Sequence, residues 1–243
     1  MIKNINIGIL PEVFRTDDIL RLSGKNITRR RLTYAISKML REKKLIKVMN
    51  GVYSKTGNTF YIAYKLYGGY IGFSSALYLH RIKTEVNPVI YICTPLNHAH
   101  RINVLGQIIE PINMSGQQYG TMQMEINGKE TTVSTYAKTI FDMLSKPRYA
   151  DYFDMYRAMN IRKLNQEEWK ELLYYAKNSS ITDIRRIGYA TDGMAPHWFT
   201  KELHEASSKG YRASFFFKHK AENYIRKWDL FDDLRITRWR NAV

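Results

Sequence analysis

Three consecutive arginines, Arg29, Arg30 and Arg31, head a stretch that continues with Thr33, Tyr34, Ser37, Lys38 and Arg41. A guanidinium donates two parallel hydrogen bonds to guanine O6 and N7, or clamps a phosphate, while Ser, Thr and Tyr hydroxyls reach phosphates or base edges. The chemistry these residue types suit is the reading of duplex DNA. Between them, Leu32, Ala35, Ile36, Met39 and Leu40 recur at i, i+3, i+4, i+7 and i+8, which predicts one amphipathic helix. Winding at about 100° per residue sets Arg30, Thr33, Tyr34, Ser37 and Arg41 opposite the apolar stripe, with Arg29, Arg31 and Lys38 on its flanks. Thr28 is placed to cap the N-terminus.

A reading helix needs neighbours to hold it. Upstream, Thr16-Asp17-Asp18 is an N-terminal capping signature followed by Ile19 and Leu20, and Ser23-Gly24 stops a short first helix. Downstream, Ile46-Lys47-Val48 alternates, Asn50-Gly51 signals a two-residue hairpin, and Val52-Tyr53 returns. Helix, turn, helix and hairpin in this order predict a winged helix-turn-helix, with Lys47 and Asn50 on the wing near the backbone or minor groove. Charge agrees with that placement. Of the net +16, residues 1–55 carry +9 (13 basic, 4 acidic), residues 56–146 carry +2 (7 and 5) and residues 147–243 carry +5 (18 and 13). A module that only docked other proteins has no need to concentrate positive charge in this way.

The expected fold class is α+β: a winged helix-turn-helix over 1–57, an α+β segment over 58–146 and a mostly helical, basic segment over 147–243. The middle segment predicts a helix at Ser74–His80, an apolar strand at Val89–Cys93, alternating runs at Val104–Ile109 and Met122–Ile126, and a hairpin turn at Asn127-Gly128. In the last segment Asn165 opens a helix through Trp169, Leu172 and Leu173. The run Ser214-Phe215-Phe216-Phe217 fits either a buried strand or the start of a helix towards Trp228.

Other groups read as structural. Cys93, the single cysteine, is expected buried, which excludes an internal disulfide and a cysteine-rich zinc site. His98 and His100 read as loop residues. Asp232-Asp233 and Glu167-Glu168 read as solvated helix charges, since adjacent helical residues diverge by about 100°. Gly68-Gly69-Tyr70-Ile71-Gly72 lacks the spacing of a phosphate loop and shapes the entry to the next helix. Lys218-His219-Lys220, Arg226-Lys227 and Arg238-Trp239-Arg240 interleave bases with aromatics, as a second backbone-contact surface or a solvated face would. No catalytic group, metal site or cofactor is expected, nor a membrane span or signal peptide, and the expected location is cytoplasmic.

Several blocks together resemble the AbiEi-type antitoxin family of transcriptional regulators, from type IV toxin-antitoxin (abortive infection AbiE) systems. Leu10-Pro11-Glu12-Val13-Phe14-Arg15-Thr16-Asp17-Asp18, the arginine-rich second helix, Arg41–Val48 and Asn50-Gly51-Val52-Tyr53 are similar to that family's N-terminal winged helix. Gly72–His80, and Val133-Ser134 followed by Lys138–Leu144, are similar to its later segments, so the resemblance covers about residues 10–146. It implies an autoregulating repressor of its own promoter, encoded beside a nucleotidyltransferase-like toxin, whose C-terminal part supplies antitoxin activity. Inverted half-sites and a homodimer are expected, because one small module supplies little specificity alone. Two other readings stay open: an enzyme acting on nucleic acid with the winged helix as targeting module, and an interaction module that neutralises a partner by contact.

Overall fold

In the computed structural model the described residues are 10–23, 27–85, 88–207, 213–214 and 223–232. The protein is α+β, and among the described residues it has nine α-helices and three sheets. The chain begins with β1 (Val13–Arg15), α1 (Thr16–Ser23), α2 (Arg29–Arg41), β2 (Ile46–Met49) and β3 (Val52–Ser54). The strands form an antiparallel sheet in the order β1-β3-β2, with Val13 opposite Ser54 and Ile46 opposite the same residue from the other side. Strand β1 has no counterpart in the sequence expectation. Three residues are too few to show alternation, and its pairing with β3 is non-local.

Asp17 and Asp18 lie in the first turn of α1, where carboxylates complement the positive end of the helix dipole. Thr28 caps α2, its side chain accepting the Arg31 N–H. One stripe of each helix is buried, and Ile19, Leu32 and Ile36 join Leu10, Phe14 and Leu45 in a small core. Each such side chain contributes about 1.5–3 kcal/mol when fully buried, which is what holds so short a set of elements together.

The middle of the chain builds a six-stranded sheet. Helix α3 (Thr59–Tyr67) leads into β4 (Tyr70–Ile71) and α4 (Phe73–Leu79), followed by β5 (Val89–Thr94), β6 (Ile102–Val104), β7 (Gln107–Asn113), β8 (Thr121–Ile126) and β9 (Lys129–Ser134). Their order is β6-β7-β5-β4-β9-β8, with β5 and β7 parallel and β6 and β7 antiparallel. Gly68 and Gly69 end α3 and turn the chain into β4. The alternating run Val104–Ile109 is not one strand. Leu105 and Gly106 both take positive φ and fold it into the β6–β7 hairpin. Asn127 and Gly128 are also both at positive φ, as a tight hairpin turn demands. Helix α3 was not legible, because residues such as Phe60, Ile62, Ala63 and Leu66 leave it without a clear polar face. Cys93 is buried in β5, as expected.

The rest is helical up to Ser207: α5 (Tyr136–Ser145), a short 3-10 turn (Pro147–Tyr149), α6 (Tyr152–Ile161), α7 (Gln166–Lys177), α8 (Ile181–Thr191) and α9 (His197–Ser207). Asn165 opens α7 as predicted, in a reciprocal capping box with Glu168. The end of the chain departs from a purely helical pattern. There β10 (Ala213–Ser214), β11 (Tyr224–Ile225) and β12 (Leu230–Phe231) form a small sheet in the order β10-β12-β11, with a 3-10 turn at Arg226–Trp228. Ser214 is thus in a strand, while Phe215–Phe217 lie outside the described residues.

Two compact units are present, and neither is continuous in sequence. The first comprises Met1–Ile71, Pro88–Gln118 and Gln123–Thr132, and the second Gly72–Asn87, Tyr119–Met122 and Val133–Val243. Within the first unit the N-terminal elements are fastened to the central strands: Asn58 donates to the Ile126 carbonyl at 2.6 Å, and Lys129 pairs with Glu12 at 3.4 Å. Among the described residues no helix is long and apolar enough to cross a membrane.

Candidate nucleic-acid interface

The outward face of α2 follows from what its inward face must do. Leu32 and Ile36 are committed to the core, so residues about half a turn away project to solvent. Arg29, Arg30, Arg31, Thr33, Tyr34, Ser37, Lys38 and Arg41 are all exposed, and Tyr34 retains 60% of its accessible surface.

These side chains are not equivalent. The Thr28 hydroxyl oxygen accepts the Arg31 N–H at 3.4 Å, so its capping role is served, and Thr33 donates to the Arg29 carbonyl at 2.9 Å. Arg29 pairs with Asp17 of α1 at 2.8 Å, and Lys38 lies 3.9 Å from Glu42. The Glu42 carboxyl is held below its usual range, first by its hydrogen bond from Lys44 and further by the Lys38 and Arg41 charges. Among the described residues Arg30, Arg31, Tyr34, Ser37 and Arg41 make no side-chain hydrogen bond or ion pair with another side chain.

The β2–β3 hairpin follows this helix in the same unit, with Lys47 exposed on β2 and Asn50 exposed at the turn. It is short and tied back. The backbone N–H of Thr16 donates to the Gly51 carbonyl at 2.9 Å, and the Thr16 hydroxyl donates to the same oxygen at 3.3 Å. Gly51 itself sits at φ 75°, and a Cβ there would lie 3.3 Å from the Thr16 hydroxyl. Gly51→Ala is therefore expected to cost about 1–2 kcal/mol through left-handed backbone strain. A thermal melt unchanged by this substitution would show that the turn relaxes freely.

Elsewhere, His98 and His100 occupy an exposed loop, with the His100 carbonyl accepting the Tyr67 hydroxyl. Among the described residues no group of three or more His, Cys, Asp or Glu side chains gathers as a metal would need. Glu167 is exposed and pairs with Lys170 at 2.7 Å, whereas Glu168 caps α7 and pairs with Arg162 at 2.6 Å. The expectation for Asp232 is corrected. It follows β12 rather than lying in a helix, is only 2% exposed, and accepts the Tyr189 hydroxyl at 2.7 Å. Asp233, Lys218, His219, Lys220, Arg238, Trp239 and Arg240 lie outside the described residues. Of the remaining C-terminal bases, Lys227 pairs with Asp192 at 2.7 Å.

Sequence reasoning missed a buried polar cluster in the second unit. Helix α5 is buried along its whole length, and Lys138 and Asp142, one turn apart, pair with no exposure of either side chain. The Lys138 ammonium also lies 5.2 Å from the Tyr119 ring and 5.1 Å from the Phe141 ring. Thr135 caps α5 and donates to Glu171 at 2.7 Å, and Tyr175 donates to the same carboxylate. Burial, then the hydrogen bond to Glu171, push the Tyr175 phenol above its usual range. An aspartate inside the apolar run Ile140-Phe141-Asp142-Met143-Leu144, with Lys138 one turn before it, was the available signal.

Compared with known proteins, the chain matches no protein-family model and no curated protein sequence.

Proposed function

We propose that residues 10–54 form a winged helix-turn-helix that binds duplex DNA sequence-specifically, with α2 in the major groove and the β2–β3 hairpin as its wing. The observation that carries this reading is the exposed Arg30, Arg31, Tyr34, Ser37 and Arg41 on the side of α2 opposite its buried Leu32 and Ile36. Antiparallel pairing in the order β1-β3-β2, with α1 and α2 between the first and second strands, supports it. So does the concentration of basic residues in the first 55 positions. In this reading the protein is a repressor of its own promoter, bound as two copies on inverted half-sites. The resemblance to AbiEi-type antitoxins extends the proposal to a functional partner, a nucleotidyltransferase-like toxin.

The test is a mobility-shift titration of the full chain on DNA from upstream of its own reading frame, repeated over a range of salt concentrations. Affinity is expected to fall steeply with salt, because each neutralised phosphate contributes about 0.9 to the slope of log K against log salt. The double variant Arg30→Ala/Arg31→Ala is expected to weaken binding about 30-fold or more, since each lost guanidinium contact is worth about 1–3 kcal/mol. Both side chains are exposed, so its melting temperature should stay near that of the parent. Equal affinity of parent and variant for that DNA would assign the contact to another surface.

A further inference from the structure

We infer that base sequence is read by a narrow strip of α2 made of Arg30, Tyr34, Ser37 and Arg41, which selects a half-site with two separated guanines and thymine between them. The inference rests on the DNA-binding reading above and assigns roles within its face. At about 100° per residue these four positions fall within about 60° of one another around the helix axis, centred opposite Leu32, Ile36 and Met39. All four are exposed.

The other basic and hydroxyl residues are set apart in two ways. Arg29 and Arg31 point to opposite flanks of the strip, about 100° from Arg30 on either side. Flanking guanidinia on a helix lying in a groove meet the two phosphate walls rather than the base edges. Local bonding also occupies two hydroxyls, Thr33 on the Arg29 carbonyl and Thr28 on its cap, while Arg29 makes an exposed pair with Asp17 at 2.8 Å.

Chemistry then assigns the target. Among the described residues Arg30 and Arg41 make no side-chain ion pair, so each guanidinium presents its fork to guanine O6 and N7, which makes them guanine readers. Eleven residues at about 1.5 Å rise separate them by about 16 Å along the helix axis, so they meet different base pairs. Tyr34 lies one turn after Arg30, 60% exposed, with an apolar ring face that fits a thymine methyl, which cytosine lacks. Ser37, also within the strip, presents a hydroxyl that bonds either donor or acceptor and so adds little discrimination.

Selection from randomised duplexes with the full chain tests this. The parent is expected to enrich a core bounded by guanines. Tyr34→Ala should lose the thymine preference inside that core while keeping the guanines. Arg30→Lys preserves charge but not the fork, and should flatten one terminal guanine while binding persists. Arg31→Ala should lower affinity about equally for all sequences and leave the enriched motif unchanged. If the parent enriches a motif that Tyr34→Ala and Arg30→Lys both retain, the strip is wrong although the protein reads DNA. If the parent enriches no motif, sequence-specific binding itself fails, and the strip with it.

Discussion

Asp142→Ala is expected to destabilise the protein by about 3–5 kcal/mol, because it leaves the Lys138 ammonium inside the second unit without its carboxylate. Against a typical total of about 5–15 kcal/mol, that is enough to unfold much of the population near 37 °C. Position decides the magnitude. An exposed pair such as Arg29–Asp17, with more than three-quarters of each side chain in solvent, contributes little because water and salt screen it. Lys138 and Asp142 have no exposure, so neither water nor salt is at hand when one partner is removed. The double replacement Lys138→Met/Asp142→Leu removes both charges and should recover most of the loss. Urea denaturation followed by circular dichroism separates the two outcomes. If Asp142→Ala alone melts with the parent, the pair is not what organises α5.

Gly188→Ala in α8 is the second large effect. A Cβ built at Gly188 would lie 2.1 Å from the Trp228 ring, so the indole must leave its seat. Trp228 is buried, donates to Asp192 at 3.3 Å and meets His204 edge-on at 5.0 Å, and displacing it loosens the strands that follow. Losing a buried tryptophan costs about 3–5 kcal/mol, while replacing a mid-helix glycine by alanine returns about 1 kcal/mol of helix propensity. The net expectation is a loss of about 2–4 kcal/mol, read as a lower urea midpoint. In the Gly188→Ala background, Trp228→Leu should then cost far less than it does in the parent. Additive losses from the two substitutions would mean that the ring and the helix do not oppose each other.

How much of this was legible in the sequence depends on the range of the forces involved. Helix α2, its Thr28 cap, the capping box at Asn165 and the hairpin turns at Asn50-Gly51 and Asn127-Gly128 are determined within a few residues, and each appears where the local pattern put it. Strand β1 and the pairing of β10 with β12 depend on partners distant in sequence, which no local pattern encodes, whereas the break at Leu105-Gly106 is a local turn hidden under the alternation of Val104–Ile109. Asp232 illustrates the same limit. Its charge suggested solvent, but Tyr189, 43 residues earlier, supplies a hydrogen bond that lets it be buried. At the candidate site the sequence located the face but not its division. Only the geometry shows that Asp17 engages Arg29 and that Thr33 bonds its own helix, leaving Arg30, Tyr34, Ser37 and Arg41 as a strip.

The chain passes between its two compact units five times, at residues 71–72, 87–88, 118–119, 122–123 and 132–133. Genetic dissection is constrained by that path. A fragment ending near residue 57 would leave behind Lys129, the partner of Glu12, along with the central strands of its own unit, and a fragment beginning there would carry those strands without their N-terminal companions. Such a protein does not lend itself to cut-and-paste exchange of its N-terminal elements. On the proposed DNA-binding reading, altering specificity then falls to side-chain substitution on a fixed scaffold, and the exposed positions of α2 are where that substitution leaves the core untouched.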